Sequence, residues 1–150
     1  MAKEIERKFL VRGEFRHLAI KELNIIQTYL SIDPLKSIRL RITGSDATIT
    51  IKSKIKEQSI TRNEWEFPIP LSDAGEILDL CIPGKVVKTR YIIPAEGKLK
   101  FEVDVFHEKN EGLVIAEIEL SAEDEEFRKP EWLGEEVTGR PEYYNVNLIK

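Results

Sequence analysis

Glu4-Ile5-Glu6-Arg7-Lys8-Phe9-Leu10 is the stretch that decides how this chain is read. With the two-residue period of a β-strand, Glu4, Glu6 and Lys8 share one face, and Ile5 and Phe9 point the other way. Two carboxylates one pleat apart can hold a hard divalent cation, and the ammonium beside them can take an anion. Solvation alone does not ask for that arrangement.

The same alternation recurs downstream. Strands are predicted near 3–11, 24–32, 37–42, 46–54, 60–68, 85–93, 98–106 and 112–120. Polar links such as Thr43-Gly44-Ser45-Asp46 and Lys109-Asn110-Glu111-Gly112 suit antiparallel hairpins. Arg39 and Arg41 oppose Ile38, Leu40 and Ile42; Lys52 and Lys54 oppose Ile49, Ile51 and Ile55. Arg62, Glu64 and Glu66 oppose Trp65 and Phe67, and Lys88 and Arg90 oppose Val87 and Tyr91. Glu102 and Asp104, then Glu117 and Glu119, repeat the pattern with carboxylates. Helices are expected at 12–22, at 71–80 with Ser72 as N-cap, and shortly after Ser121. Eight strands with few helices point to a barrel or a strongly curved antiparallel sheet.

A sheet with one wet face and one packed face would explain any single strand. It explains the set less well, because the signs segregate: Arg39/Arg41 and Lys52/Lys54 are wholly cationic, Glu102/Asp104 and Glu117/Glu119 wholly anionic. Like charges on neighbouring strands repel. If the sheet closes with its charged face inward, cationic walls take a polyanion and carboxylate walls take its divalent cations, the two needs of phosphoryl chemistry.

At 150 residues the chain is expected to form one domain, with 41% hydrophobic and 33% charged residues. A net charge of −4 argues against a generic nucleic-acid binder. One cysteine, Cys81, and two histidines, His17 and His107, leave carboxylates as the metal ligands, which selects magnesium, manganese or calcium. His17 and His107 read as surface and strand-end residues, Lys21 and Glu22 as a solvated helix end, and Trp65 and Trp132 as packing between barrel and helices. No apolar run reaches membrane length and no signal-peptide core opens the chain, so a cytoplasmic location is expected and a membrane partner is not.

Taken in order, Glu4-x-Glu6-x-Lys8, Arg39-Leu40-Arg41, Thr50-Ile51-Lys52-Ser53-Lys54, Arg62-x-Glu64-x-Glu66, Lys88-Thr89-Arg90-Tyr91, Glu102-x-Asp104 and Glu117-Ile118-Glu119 resemble the motifs of the CYTH superfamily, the triphosphate tunnel metalloenzymes. Val137-Thr138-Gly139 and Tyr144-Asn145-Val146-Asn147-Leu148 resemble its C-terminal segment, with Arg140 standing where an acidic residue is expected. The resemblance implies a mostly β, α+β fold over residues 1–150. Its centre is an eight-stranded closed antiparallel barrel, a triphosphate tunnel, with short helices outside.

The resemblance also implies roles. Glu4, Glu6, Glu117, Glu119 and Asp104 are the expected ligands of Mg2+ or Mn2+. Lys8, Arg39, Arg41, Lys52, Lys54, Arg62, Lys88 and Arg90 are the expected phosphate clamp. Lys8, Asp104 and Tyr29 are the expected catalytic residues, Tyr29 as a tunnel tyrosine able to approach the motif lysine; an ordinary half-buried strand tyrosine reads equally well. The implied activity is hydrolysis of a small triphosphate, foremost tripolyphosphate to pyrophosphate and phosphate. A class IV adenylyl cyclase, a thiamine triphosphatase and a non-catalytic polyphosphate- or nucleotide-binding module are the alternatives. Homodimers are frequent in such proteins, so a second copy is an admissible partner; nucleic acid is not expected.

Overall fold

The structure, a computed structural model, describes residues 2–33, 35–54 and 59–150. Its strands are β1 (Ala2–Val11), β2 (Lys21–Asp33), β3 (Lys36–Thr43), β4 (Asp46–Lys54), β5 (Thr61–Ile69), β6 (Val86–Pro94), β7 (Lys100–Phe106), β8 (Val114–Leu120) and β9 (Leu133–Glu136). They run β5-β4-β3-β2-β6-β7-β8-β1-β9, and pairing of β1 with β5 closes the first eight into an antiparallel barrel. β1 is the seam. One of its edges pairs with β8 from Ile5 to Leu10; the other is shared by β5, at Ala2–Ile5, and β9, from Phe9 to Val11.

The register confirms the inward charges. Glu6 lies opposite Glu119, Lys8 opposite Glu117, Lys52 opposite Glu64 and Arg90 opposite Asp104. Directly paired residues project to the same side, so these side chains all face inward. The apolar faces look outward. Phe9, Phe101, Val103, Ile118 and Leu120 pack under Phe15 and Trp132, with Phe101 and Trp132 in edge-to-face contact at 5.1 Å between ring centroids. Leu40 and Ala47 pack under Ala74 of α1 (Leu71–Leu78). At one end of the barrel the inward positions turn apolar. There Tyr29, Val86, Phe106 and Ile115 meet Leu148 of the short C-terminal helix α2 (Asn145–Leu148) and the following Ile149. Burying those two side chains favours the docked helix by about 1.5–3 kcal/mol each.

Three helix expectations are corrected. Residues 12–22 hold only a 3-10 turn at Arg16–Leu18, and Lys21 and Glu22 already belong to β2. Ile20 N donates to Ile92 O at 2.9 Å, so the ladder captures the segment before a marginal local helix can form. The region after Ser121 is irregular until β9, which pairs with β1; four residues, Leu133–Glu136, carry too short an alternation to stand out. α1 starts after Pro70, not Ser72: the Pro70 backbone is extended and its carbonyl accepts from Ala74 N. Trp132 is buried, under a loop segment rather than a helix. Ile55 lies outside the described residues.

Candidate active site

The inward faces enclose a cavity of about 280 Å³. β1 brings Glu4, Glu6 and Lys8, β3 Arg39 and Arg41, β4 Lys52, β5 Arg62, β6 Lys88 and Arg90, and β8 Glu117 and Glu119. Tyr29, Glu64, Glu66 and Glu102 complete the charged and aromatic set foreseen from sequence. Lys54 stands apart from that cavity, at an adjoining mouth bordered by Ser59, Arg62, Thr138 and Tyr144. Asp104 faces inward but is fully buried beneath Arg90 and Lys88 and does not line the cavity. Arg90 donates to both its oxygens, at 2.7 and 2.9 Å, and Lys88 Nζ lies 2.8 Å from Oδ2.

Lys8 meets Tyr143 and Tyr144 where Tyr29 was the tyrosine expected. Its Nζ donates to Tyr143 O at 3.3 Å and sits 5.6 Å from the centre of the Tyr144 ring. Tyr29 instead accepts from Gln27 Nε2 at 3.2 Å, and among the described residues no bond joins it to Lys8. Lys54 and Arg62 also approach the Tyr144 ring, at 5.3 and 5.7 Å. Arg140 pairs with Glu135 on the outer surface, away from the lumen.

Gln27, Ser37, Thr50 and the C-terminal residues Tyr144, Asn145 and Val146 were missed. Extending the inward period of β2 back from Tyr29 would have reached Gln27, and the same step on β3 and β4 reaches Ser37 and Thr50. Asn145 stands in the Tyr144–Leu148 stretch that carries the resemblance, but nothing local gives it a site role. It reaches the lumen only because α2 docks on the barrel end, where Asn145 Oδ1 accepts from Gln27 Nε2 and from Lys88 Nζ, both at 2.9 Å.

The electrostatics divide the wall. Burial would raise Glu117, but Lys8 and Arg90 hold it well below the usual carboxylate range. Burial likewise opposes ionisation of Glu4, and Lys52, whose Nζ lies 2.8 Å away, outweighs it. Glu6 is pushed well up by burial and by Glu117 and Glu4. Burial and Glu4 push Glu64 up to about 7, and burial with Glu4 and Glu102 raises Glu119. Among the cations, burial lowers Lys88 to about 7 against the pull of Asp104, and burial with Arg39 and Arg90 lowers Arg41 to about 9. Arg39 Nε is buried with no hydrogen-bond partner among the described residues. A buried guanidinium N–H without an acceptor is a ready contact for an oxyanion.

A closed antiparallel barrel whose lumen carries the charge, and whose apolar faces look outward, is a tunnel barrel. The CYTH domain profile matches residues 2–149, and the chain belongs to that family. An inorganic triphosphatase of Acetivibrio thermocellus is 44% identical over 151 aligned positions, spanning 100% of this chain and 95% of the relative. An inorganic triphosphatase of Nitrosomonas europaea is 36% identical, spanning 97% of this chain and 95% of the relative. A solved structure described as an inorganic triphosphatase superposes with a TM-score of 0.68 at 33% identity, covering 97% of each chain.

Proposed function

We propose that this protein is a divalent-metal-dependent triphosphatase that hydrolyses inorganic tripolyphosphate to pyrophosphate and orthophosphate. The observation that carries the reading is the composition of the lumen: seven cationic side chains and seven carboxyls line the cavity. A wall of both signs suits a polyanion together with its divalent cations. A triphosphate already partly neutralised by divalent cations matches it, phosphate oxygens toward the arginines and lysines and metal toward the glutamates. The two relatives named as inorganic triphosphatases support the same substrate. Apart from Tyr29, Tyr144 and Val146 the lining is polar, so it offers little platform for a nucleobase or a thiazolium ring.

The donor set fits a hard divalent ion. Glu6 and Glu119 form no ion pair within 4 Å among the described residues, and burial beside other carboxyls raises both, so a metal would relieve their charge. Among the described residues no three His, Cys, Asp or Glu side chains form a finished metal cluster, so the inward glutamates would have to draw closer to meet a common ion. In this reading Glu4, Glu6, Glu117 and Glu119 hold Mg2+ or Mn2+, the preference of an all-oxygen set. The bound ion supplies Lewis-acid neutralisation of the phosphate oxygens.

The chain's own residues do the rest. Arg39 and Arg41 form bidentate contacts with equatorial oxygens, Lys8, Lys52 and Arg62 add movable charge along the chain of phosphates, and Lys88 and Arg90 add fixed charge. Lys54 serves the adjoining mouth. Asp104 fixes Arg90 and Lys88 for that task. Water attacks the terminal phosphorus in line: its oxygen forms the new P–O bond and gives up a proton to solvent, the bond to the bridging oxygen breaks, and pyrophosphate leaves with the electron pair. The clamp cations stabilise the charge that develops there. Tyr29 orients Gln27 at the closed end.

Incubation with tripolyphosphate, ATP and thiamine triphosphate, each with Mg2+ or Mn2+, tests the reading by its products. Orthophosphate released from tripolyphosphate at much the highest rate is the expected result. Cyclic AMP from ATP, or preferred turnover of thiamine triphosphate, would overturn it. Metal-dependent binding with no turnover of any of the three would replace the enzyme by a binding module.

A further inference from the structure

We propose that Asn145, the first residue of α2, is a positioning residue that sets two cations of the phosphate clamp at once: Lys88 directly, and Arg41 through Gln27. The inference rests on the triphosphatase reading above.

The hydrogen-bond directions are forced by the groups at the two ends. As the ammonium that pairs with Asp104 at 2.8 Å, Lys88 has only donors to offer, so the atom facing its Nζ at 2.9 Å is the Asn145 amide oxygen. The second lone pair of that oxygen takes Gln27 Nε2, also at 2.9 Å. Gln27 is thereby turned with its own oxygen toward Arg41, whose Nε and Nη2 donate to Oε1 at 3.3 and 3.1 Å. Arg41 too has only donors, so neither amide can flip without facing donor against donor. The remaining Gln27 Nε2 hydrogen reaches Tyr29 Oη at 3.2 Å. Gln27 is 1% exposed and Lys88 2%, so water does not substitute for a lost partner.

Asn145 is in turn held by the docking of Leu148 and Ile149 against Tyr29, Val86, Phe106 and Ile115. A segment outside the barrel walls therefore fixes side chains on β2, β3 and β6, and it adds no charge in doing so. An aspartate there would have added a negative charge to the lumen.

The test is a set of Asn145 variants with steady-state kinetics on tripolyphosphate. Asn145→Leu removes the acceptor at similar volume, and kcat/KM should fall on the order of 10- to 100-fold, as loss of charge-assisted hydrogen bonds predicts. Asn145→Asp keeps the acceptor, so it should retain kcat within a few-fold while KM rises from the added charge. In a Lys88→Met background, Asn145→Leu should cost no more than a few-fold, through Arg41 alone. A wild-type-like Asn145→Leu, an equal kcat loss in Asn145→Asp, or losses that multiply in the double variant would each overturn the proposal. Asn145→Ser, too short to reach either donor, replaces Asn145→Leu where the latter does not fold. If the wild-type protein leaves tripolyphosphate intact, the hydrolase reading alone fails; the same variants are then compared by calorimetric tripolyphosphate affinity, with the same pattern of losses expected.

Discussion

Asp104→Asn should destabilise this protein more than any other change of a single lumen charge. The carboxylate is completely buried, accepts two hydrogen bonds from Arg90 and faces Lys88 at 2.8 Å. Removing one partner of a buried ion pair costs about 3–5 kcal/mol, because the other charges stay desolvated. The low end applies here. Burial already brings Lys88 down to about 7, so without Asp104 it can shed its proton rather than remain a bare cation. Arg90 has no such escape, but it keeps Glu102 at 3.1 Å. A loss of about 3 kcal/mol in a chain of this size corresponds to a midpoint lower by roughly 6–12 °C. Urea unfolding followed by circular dichroism measures it, with the midpoint reduced and the slope unchanged. The loss should shrink in a Lys88→Met background, since one orphaned charge is then gone. Asp104→Asn within about 0.5 kcal/mol of wild type, or an equal loss with and without Lys88, would refute this account of the inner wall.

Glu6→Gln should raise the melting temperature of the metal-free protein and abolish both metal-dependent turnover and the metal-induced rise in melting temperature. Glu6, Glu64 and Glu119 have folded-state pKa values above those of the unfolded chain, so the stability they lend is complete below the unfolded carboxyl pKa and fades as pH rises through the folded value, about 7 for Glu64. Metal-free stability should therefore fall from mildly acidic to neutral pH, less steeply in Glu6→Gln, and excess Mg2+ or Mn2+ should flatten the profile; thermal melts across pH check all three. Gly84→Ala should lower stability by about 1–3 kcal/mol and loosen α2, because Gly84 sits at φ +100° and an added Cβ would run into the Ile149 carbonyl. Faster amide exchange at Val146–Leu148 in that variant would show the loosening, and unchanged exchange would argue against it.

The lumen was legible because a charged residue at every second position leaves a signal that no packing detail can hide. Glu4/Glu6/Lys8, Arg39/Arg41, Lys88/Arg90 and Glu117/Glu119 all reached the cavity. Asp104 shares that period yet does not line the cavity, because which inward residue faces the space and which braces its neighbour depends on cross-strand register, here Arg90 opposite Asp104. The helix read at 12–22 failed for the same kind of reason: pairing of β2 with β6 begins at Lys21 and overrides a weak local periodicity. Asn145 and Gln27 carry no charge, and their importance comes from a contact between residues 118 positions apart. No local pattern encodes such a contact.

A barrel turned inside out in this way has to find its stability away from its lumen. Charges taken out of bulk water and held among like charges work against folding, as the raised Glu6 and lowered Lys88 indicate. The compensation lies outside, in Phe9, Phe101, Ile118 and Trp132 on one side and in Leu40, Ala47 and Ala74 on the other. These two shells lie on the outward faces of the strands whose inward faces line the lumen. A substitution in the Trp132 shell should thus change stability with little effect on turnover, whereas one at the α2 end should change both, because there the packing of Leu148 and Ile149 also fixes Asn145 against Lys88. Comparing Trp132→Phe with Leu148→Ala separates the two cases. Trp132→Phe should lower the melting temperature and keep kcat, and Leu148→Ala should lower both. A fall in kcat with Trp132→Phe as large as with Leu148→Ala would contradict the division of the core into an outer shell for stability and an end plug for function.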